Sequence, residues 1–195
     1  MNPIALSTLK VIRANLVSLT GVSGDQVFLA GGCVRDTAAG LEPKDYDCII
    51  LNDKADPWSD ESAFALAERI ARDCRELGAS VAIYQAYGFA AGADAHDLTG
   101  RTRDFDDNIW CGIHVQFGAD VPYDILLSRH SDIDSVMDSF DCNWNQQYVS
   151  ERTNCYWVGA YSPLVFTGKP LRDGREEYIR NKYNEVFNVP NSTGS

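Results

Sequence analysis

The sequence predicts an α+β domain, and three observations carry that expectation. Stretches with an apolar residue at every third or fourth position share the chain with short apolar runs bounded by glycine, proline and aspartate, so both helices and strands are expected. Two alternating runs joined by Gly118-Ala119-Asp120 read as a hairpin, which makes that pair antiparallel. With 195 residues, 45% of them hydrophobic, and no run approaching the roughly 18 apolar residues of a membrane span, the chain suits one globular core.

Asn2-Pro3 places a cap and a first-turn proline before Leu6, Leu9, Ile12, Leu16 and Leu19, a helical stripe that Gly21 and Gly24 end. Val27 to Ala30 is a buried strand, Gly31-Gly32 a turn, and a short helix starts near Cys33. A second buried strand follows within Lys44 to Leu51, and Asn52 to Trp58, containing Pro57, is a loop. Ser59 is a candidate N-cap with Asp60 and Glu61 in the first turn. Phe64, Ala67, Ile70, Cys74 and Leu77 form the expected buried face of that helix, Glu68 and Arg72 an expected i,i+4 pair, and Gly78 the stop.

Ser80 to Ala86 reads as a strand. Tyr87 to Asp107 has no period and reads as a loop, in which Asp94, His96 and Asp97 lack the second cluster a metal site needs. Ile109 to Phe117 alternates cleanly, and Val121 to Ser128 completes the hairpin. Ser131-Asp132-Ile133-Asp134 starts a helix, Cys155 to Gly159 is a strand that Ser162-Pro163 breaks, and Asp173 caps a last helix over Gly174 to Phe187. We expect one domain over residues 1–188, with a disordered tail at 189–195.

Charge and cysteines narrow the function classes. A formal net charge of −11 is opposite to the basic footprint of a protein gripping a long nucleic acid, and only Arg172, Arg175, Arg180 and Lys182 make a modest basic cluster. A small acceptor, or only the end of a nucleic acid, fits better than a DNA duplex. Six cysteines with no CxxC pair, and no signal-peptide pattern at the amino terminus, suggest reduced thiols in a cytoplasm.

The chemistry gathers around Gly31-Gly32 and Asp45-Tyr46-Asp47. Glycines allow close backbone approach, and a helix N-terminus just after them is a natural phosphate site. Asp45 and Asp47, two apart on a strand, share a face, and oxygen-only ligands suit Mg²⁺. Together they suggest a metal-assisted reaction on a nucleotide. Asp124 lies in the apolar stretch Tyr123-Asp124-Ile125-Leu126-Leu127. It is either a third metal ligand or an edge-strand acid facing water. His114, on the less apolar face of its strand, reads as a surface or satisfied core group.

Gly31-Gly32-x-Val34-Arg35-Asp36, then Gly40, then Lys44-Asp45-x-Asp47, resembles the signature of class II nucleotidyltransferases, the CCA-adding enzymes and bacterial poly(A) polymerases of the polymerase-beta superfamily. Small phage-encoded members are the most similar. The resemblance covers roughly residues 25–150 as a catalytic head, leaving 151–188 as a C-terminal extension. It implies the minimal nucleotidyltransferase fold, a mixed, mostly antiparallel sheet of about five strands flanked by helices.

It also implies template-independent transfer of NMP from an NTP, ATP or CTP, to a hydroxyl on an RNA 3′ end, a small molecule or a protein. Two Mg²⁺ ions, or Mn²⁺, would be held by Asp45, Asp47 and Asp124. Gly31, Gly32, Arg35 and Lys182 would bind the β- and γ-phosphates, with Asp36 orienting Arg35 or a backbone amide. Asp124 and Arg129 match an acid followed five residues later by arginine, with Asp where Glu is common. Asp141 and Asn145 match the conserved pair of RRDFxxNA, which helps hold sugar and triphosphate, but Phe140 stands where that motif has arginine. Glu176 to Arg180 reads as a charged helix face, and it also faintly echoes the base-reading EDxxR, which would make Arg180 a nucleotide contact. The long helical body with which class II enzymes grip tRNA is missing from this chain, so CCA addition is not expected. The alternative is a non-catalytic nucleotide-binding or inhibitor protein on the same fold; it requires loss of a metal ligand, whereas all three carboxylates are present.

Overall fold

In the computed structural model, residues 3–85, 108–151, 156–157, 162–168, 171 and 173–187 are described. The chain runs α1 (Pro3–Thr20), β1 (Val27–Ala30), α2 (Gly32–Ala39), β2 (Tyr46–Ile50), α3 (Asp60–Glu76), β3 (Ser80–Gln85), β4 (Ile109–Gln116), β5 (Tyr123–Ser128), α4 (Ile133–Met137), a 3₁₀ turn (Asn143–Asn145), β6 (Gln147–Val149), β7 (Tyr156–Trp157) and α5 (Arg175–Phe187). The expected α+β class holds. The sheet has the order β3-β4-β5-β2-β1-β6-β7, and only β2 and β5 pair in parallel. It is wider than the expected five or so strands because the short β6 and β7 extend it beyond β1. The loop expected at 87–107, with its Asp94, His96 and Asp97, and the tail at 189–195 lie outside the described residues.

One sheet face carries the main core. Val27 and Leu29 of β1, Cys48 and Ile50 of β2, Cys111, Ile113 and Val115 of β4, and Ile125 and Leu127 of β5 pack there against Leu9, Ile12 and Leu16 of α1. From α3 that core takes Ala67, Ile70, Ala71 and Cys74. Phe64 and Leu77, expected on the buried side of this helix, are exposed. Ala67, Ile70 and Cys74 are buried as expected, and Ala63 and Ala71 join them, because alanine has the lowest helical cost and lets the helix sit close to the sheet. Arg72 bonds Asp73 rather than the expected Glu68. Ser59 caps α3 as expected, accepting from Ser62 N at 3.2 Å while Ser62 Oγ accepts from Ser59 N.

The other face is thinner. Phe28, Ala30, Ile49, Leu51 and Tyr148 meet Val136 and Met137 of α4, and Asp47, Asp124 and His114 lie on the same face. A third cluster of Cys142, Trp144, Ile179 and Tyr183 fastens α5 to the 3₁₀ turn. Asp132 caps α4 by accepting from Ser135 N at 2.8 Å. Five cysteines, at 33, 48, 74, 111 and 142, are buried free thiols. No helix among the described residues is long and apolar enough to cross a membrane.

Candidate active site

The parallel pairing of β2 and β5 sets Asp47 directly beside Asp124. In the same register Tyr46 faces Tyr123 on the opposite side of the sheet, their rings 5.4 Å apart. Because β5 lies between β4 and β2, Asp124 is not an edge-strand acid, and that alternative is removed. On its other side, across the antiparallel β4–β5 pair, Asp124 meets His114, whose Nδ1 is 2.7 Å from Asp124 Oδ1.

The β1–α2 turn passes under these carboxylates. Gly31 has φ 71°, a conformation L side chains rarely adopt, and its N–H donates to Gln147 O at 2.8 Å. A Cβ placed there would lie 2.5 Å from Phe140 Cε1 and 3.5 Å from Asp47 Oδ2. The turn therefore requires glycine twice over, for its backbone angle and for its contact with Phe140.

Burial, and then the charges of Asp45 and Asp124, push the Asp47 carboxyl up to about 8, against the pull of Arg175 and Arg35. Burial raises Asp45 too, followed by the charge of Asp124. Like charges held together in a partly dry place are the electrostatic condition that a cation relieves. Among the described residues no three His, Cys, Asp or Glu side chains converge into a ready-made metal cage. The donors present nevertheless fit Mg²⁺, which keeps several waters and is usually held by one or two carboxylates together with substrate phosphates.

Behind the turn runs a continuous chain of polar contacts. Arg35 Nε donates to Asp36 Oδ1 at 2.7 Å, Arg35 Nη1 donates to Asn145 Oδ1, and Asn145 Nδ2 donates to Asp141 Oδ1. Asp141 Oδ2 accepts from Arg175 Nε at 2.8 Å. Lys182 Nζ donates to Asp36 Oδ2 and, at 3.2 Å, to Tyr178 Oη. Arg35 lies 4.7 Å from the centre of the Trp144 ring. Arg35 and Asp36 are each only 3% exposed. Arg35 thus ties α2 to the 3₁₀ turn, Asp36 and Asp141 carry the contacts on to α5, and Arg35 Nη2 lies 3.7 Å from where a Gly32 Cβ would be.

Asp45, Asp47, Asp124, Gly31 and Gly32 gather at one end of the sheet, with Arg35, Asp36, Asp141, Asn145 and Lys182 behind them. Two predicted residues do not join. Arg129 leaves β5 at the far end, five residues or roughly 16 Å along the strand from Asp124, and lies 3.7 Å from the centre of the Trp110 ring. Arg180 pairs with Glu176 at 2.7 Å on the exposed side of α5. His114, Lys44, Arg175 and Tyr178 were missed. Arg175 stood in the basic cluster of the sequence, but its partner Asp141 is 34 positions away. The His114 contact depends on strand register, which alternation alone leaves open.

No family model matches this chain, and no curated protein does. Among solved structures it is similar to a tRNA-processing enzyme in an apo form, with TM-score 0.44 and 16% identity over 90% of this chain and 35% of that one. It is similar to a tRNA nucleotidyltransferase complexed with a primer tRNA and an incoming ATP analogue, with TM-score 0.40 and 16% identity over 87% and 37%. A CCA-adding enzyme complexed with CTP gives TM-score 0.44 and 21% identity over 74% and 30%. The chain spans about a third of the length of these structures. Likeness this distant leaves the chemistry to be argued from the chain's own residues.

Proposed function

We propose that this protein is a Mg²⁺-dependent nucleotidyltransferase that moves NMP from an NTP to a hydroxyl acceptor and releases pyrophosphate. The observation that carries the reading is the lateral pairing of Asp47 with Asp124, with the Gly31 turn alongside. When bound, divalent cations would lower the barrier by offsetting charge on the attacking oxygen and on the departing pyrophosphate. Asp45, Asp47 and Asp124 are the residues to hold them.

The remaining roles belong to the chain. The Gly31-Gly32 turn lets phosphates approach backbone amides at the start of α2, where the helix dipole favours negative charge. Asp124, fixed on one oxygen by His114, keeps its second oxygen for the site. An acceptor hydroxyl lies beside it, in line with the α-phosphate. As the new O–P bond forms, the α–β P–O bond breaks, pyrophosphate leaves with the bonding pair, and the hydroxyl proton passes to solvent. The net charge of −11 favours a small acceptor or the 3′ end of an RNA over a duplex.

The test is incubation with each α-labelled NTP, MgCl₂ and, in separate arms, total RNA or a cell lysate. Label joined covalently to an acceptor, dependent on Mg²⁺ and lost in Asp47→Asn, is the expected result. If wild-type protein labels nothing and binds Mg²⁺–NTP no better than metal-free NTP in calorimetry, the proposal is wrong.

A further inference from the structure

We propose that Arg175, carried on α5, is a triphosphate-binding residue of the nucleotide site; the inference rests on the nucleotidyltransferase reading and deepens it. The two cations that sequence alone assigns to phosphate are already engaged. Arg35 is buried, with Nε on Asp36, Nη1 on Asn145 and its plane over Trp144. Lys182 is held by Asp36 and the Tyr178 hydroxyl. Phe140, the side chain against Gly31, brings no charge, and its neighbour Asp141 holds Arg175.

Arg175 is committed through one nitrogen. Its Nε donates to Asp141 Oδ2 at 2.8 Å, and its two Nη groups make no hydrogen bond among the described residues. Its side chain is 36% exposed while Asp141 is 16% exposed, so the guanidinium is anchored from below and open above. A planar fork held in this way is suited to two parallel bonds to phosphate oxygens. Asp141 directly follows Phe140, whose ring lies against Gly31 where Asp47 Oδ2 also approaches, and this sets Arg175 close to the glycine turn. Lys44, 4.6 Å from the centre of the Tyr178 ring, brings a second cation to the same place, and Arg175 is 5.8 Å from that ring. Positive charge beside the glycine turn is what a Mg²⁺-bound polyphosphate requires to offset the oxygens its metal leaves bare.

Because the contact is to the β- and γ-phosphates, it separates triphosphate from monophosphate. Calorimetry in MgCl₂ with CTP, ATP, inorganic tripolyphosphate, CMP and AMP should be run on the full chain, Arg175→Gln and Arg175→Lys. Arg175→Gln should weaken the triphosphates and tripolyphosphate about 10- to 100-fold and leave the monophosphates within about twofold. Arg175→Lys keeps the charge and the ion pair with Asp141 but not the fork, so it should recover part of the loss. Equal loss for triphosphates and monophosphates, or a lowered melting temperature with unchanged triphosphate affinity, would show that Arg175 only fastens α5 and would overturn the inference. Should Arg175→Gln not fold, Arg175→Lys with wild-type tripolyphosphate affinity overturns it equally. If wild type binds no triphosphate at all, the nucleotidyltransferase reading itself fails; if wild type binds and transfers while the variants match it, only the role of Arg175 does.

Discussion

On the face covered by α1 and α3, β5 sends Ile125 and Leu127 into the main core with no exposed surface. On the other face the same strand presses Asp124 between Asp47 and His114. Consecutive residues of one strand therefore answer to different physics. The covered face is ordered by apolar burial, which is additive and tolerant of rearrangement. The carboxylate face is ordered by backbone register, which forces like charges together and gives up stability that a cation would restore.

Exchanging the two kinds of residue gives the largest contrast. Ile125→Ala should cost about 2–5 kcal/mol through lost burial and the cavity left behind, with transfer surviving in whatever fraction stays folded. Asp124→Asn keeps the shape and removes a like charge, so the metal-free melting temperature should hold or rise. Transfer should fall on the order of 100- to 1000-fold, the scale for losing a group that stabilises transition-state charge. The stabilisation conferred by Mg²⁺–NTP should vanish with it. Melting curves with and without Mg²⁺–NTP read both effects. An Asp124→Asn protein that melts earlier yet still responds fully to nucleotide would break the distinction between the faces.

The pH dependence of stability sharpens it. Unfolded, Asp47 titrates near the ordinary value of about 3.9; folded, it titrates at about 8. Between those values the folded protein holds a proton that the unfolded chain has released, so stability falls as pH rises from about 4 to about 8 and is flat above. In EDTA, wild type should melt lower at about pH 8 than at about pH 5, and Asp47→Asn should lose most of that slope, to which the raised Asp45 also contributes. Saturating Mg²⁺ should help more at the higher pH, where the proton it must displace has already left. Identical slopes for variant and wild type would show that Asp47 does not carry the repulsion.

The covered face was readable because periodicity reports burial directly. Leu9, Ile12 and Leu16 fall on the predicted stripe of α1, and the alternating Cys111, Ile113 and Val115 all point into the core. The glycine turn, and Asp45 and Asp47 at the start of β2, were readable for a local reason: these residues lie within a few positions of one another. What escaped depends on distant pairings. Arg175 reaches Asp141 over 34 positions and Lys182 reaches Asp36 over 146, so no local pattern exposes either contact. On α3 the expected Ala67, Ile70 and Cys74 are buried, whereas Ala63 and Ala71 escaped, because a small side chain in a tight helix–sheet contact gives little signal of its own.

Two glycines permit a finer comparison. Gly31 and Gly40 both have positive φ, 71° and 78°, but a Cβ at Gly40 meets nothing within 4 Å. Gly40→Ala should therefore cost only the left-handed penalty, about 1–2 kcal/mol. Gly31, with ψ −132° against 18° for Gly40, lies outside that left-handed well, so Gly31→Ala carries a larger backbone strain and must also displace Phe140; it should cost more and weaken nucleotide binding as well. Adding Phe140→Ala should recover part of the Gly31→Ala loss, a coupling that a double-mutant cycle by denaturant unfolding measures. Strict additivity would mean that Phe140 does not pack on the turn.

The smallest effect is expected at His114, where the two kinds of order meet. Its neighbours along β4, Ile113 and Val115, are fully buried in the main core, while its own ring turns to the other face and reaches Asp124. The ring side chain is 43% exposed, so removing it opens no cavity and should barely move the melting temperature. It does fix one oxygen of Asp124 and so orients the other. Groups that orient a metal ligand through a hydrogen bond typically matter about 10- to 100-fold, and partial exposure places this one near the lower end. His114→Ala should therefore lower Mn²⁺ affinity and transfer about tenfold. His114→Asn, whose amide can still donate to the carboxylate, should recover much of that loss. Mn²⁺ binding followed by electron paramagnetic resonance separates the ligand effect from any change in acceptor binding. If His114→Ala binds Mn²⁺ as tightly as wild type, the histidine merely neighbours the aspartate, and the carboxylate face is set by strand register alone.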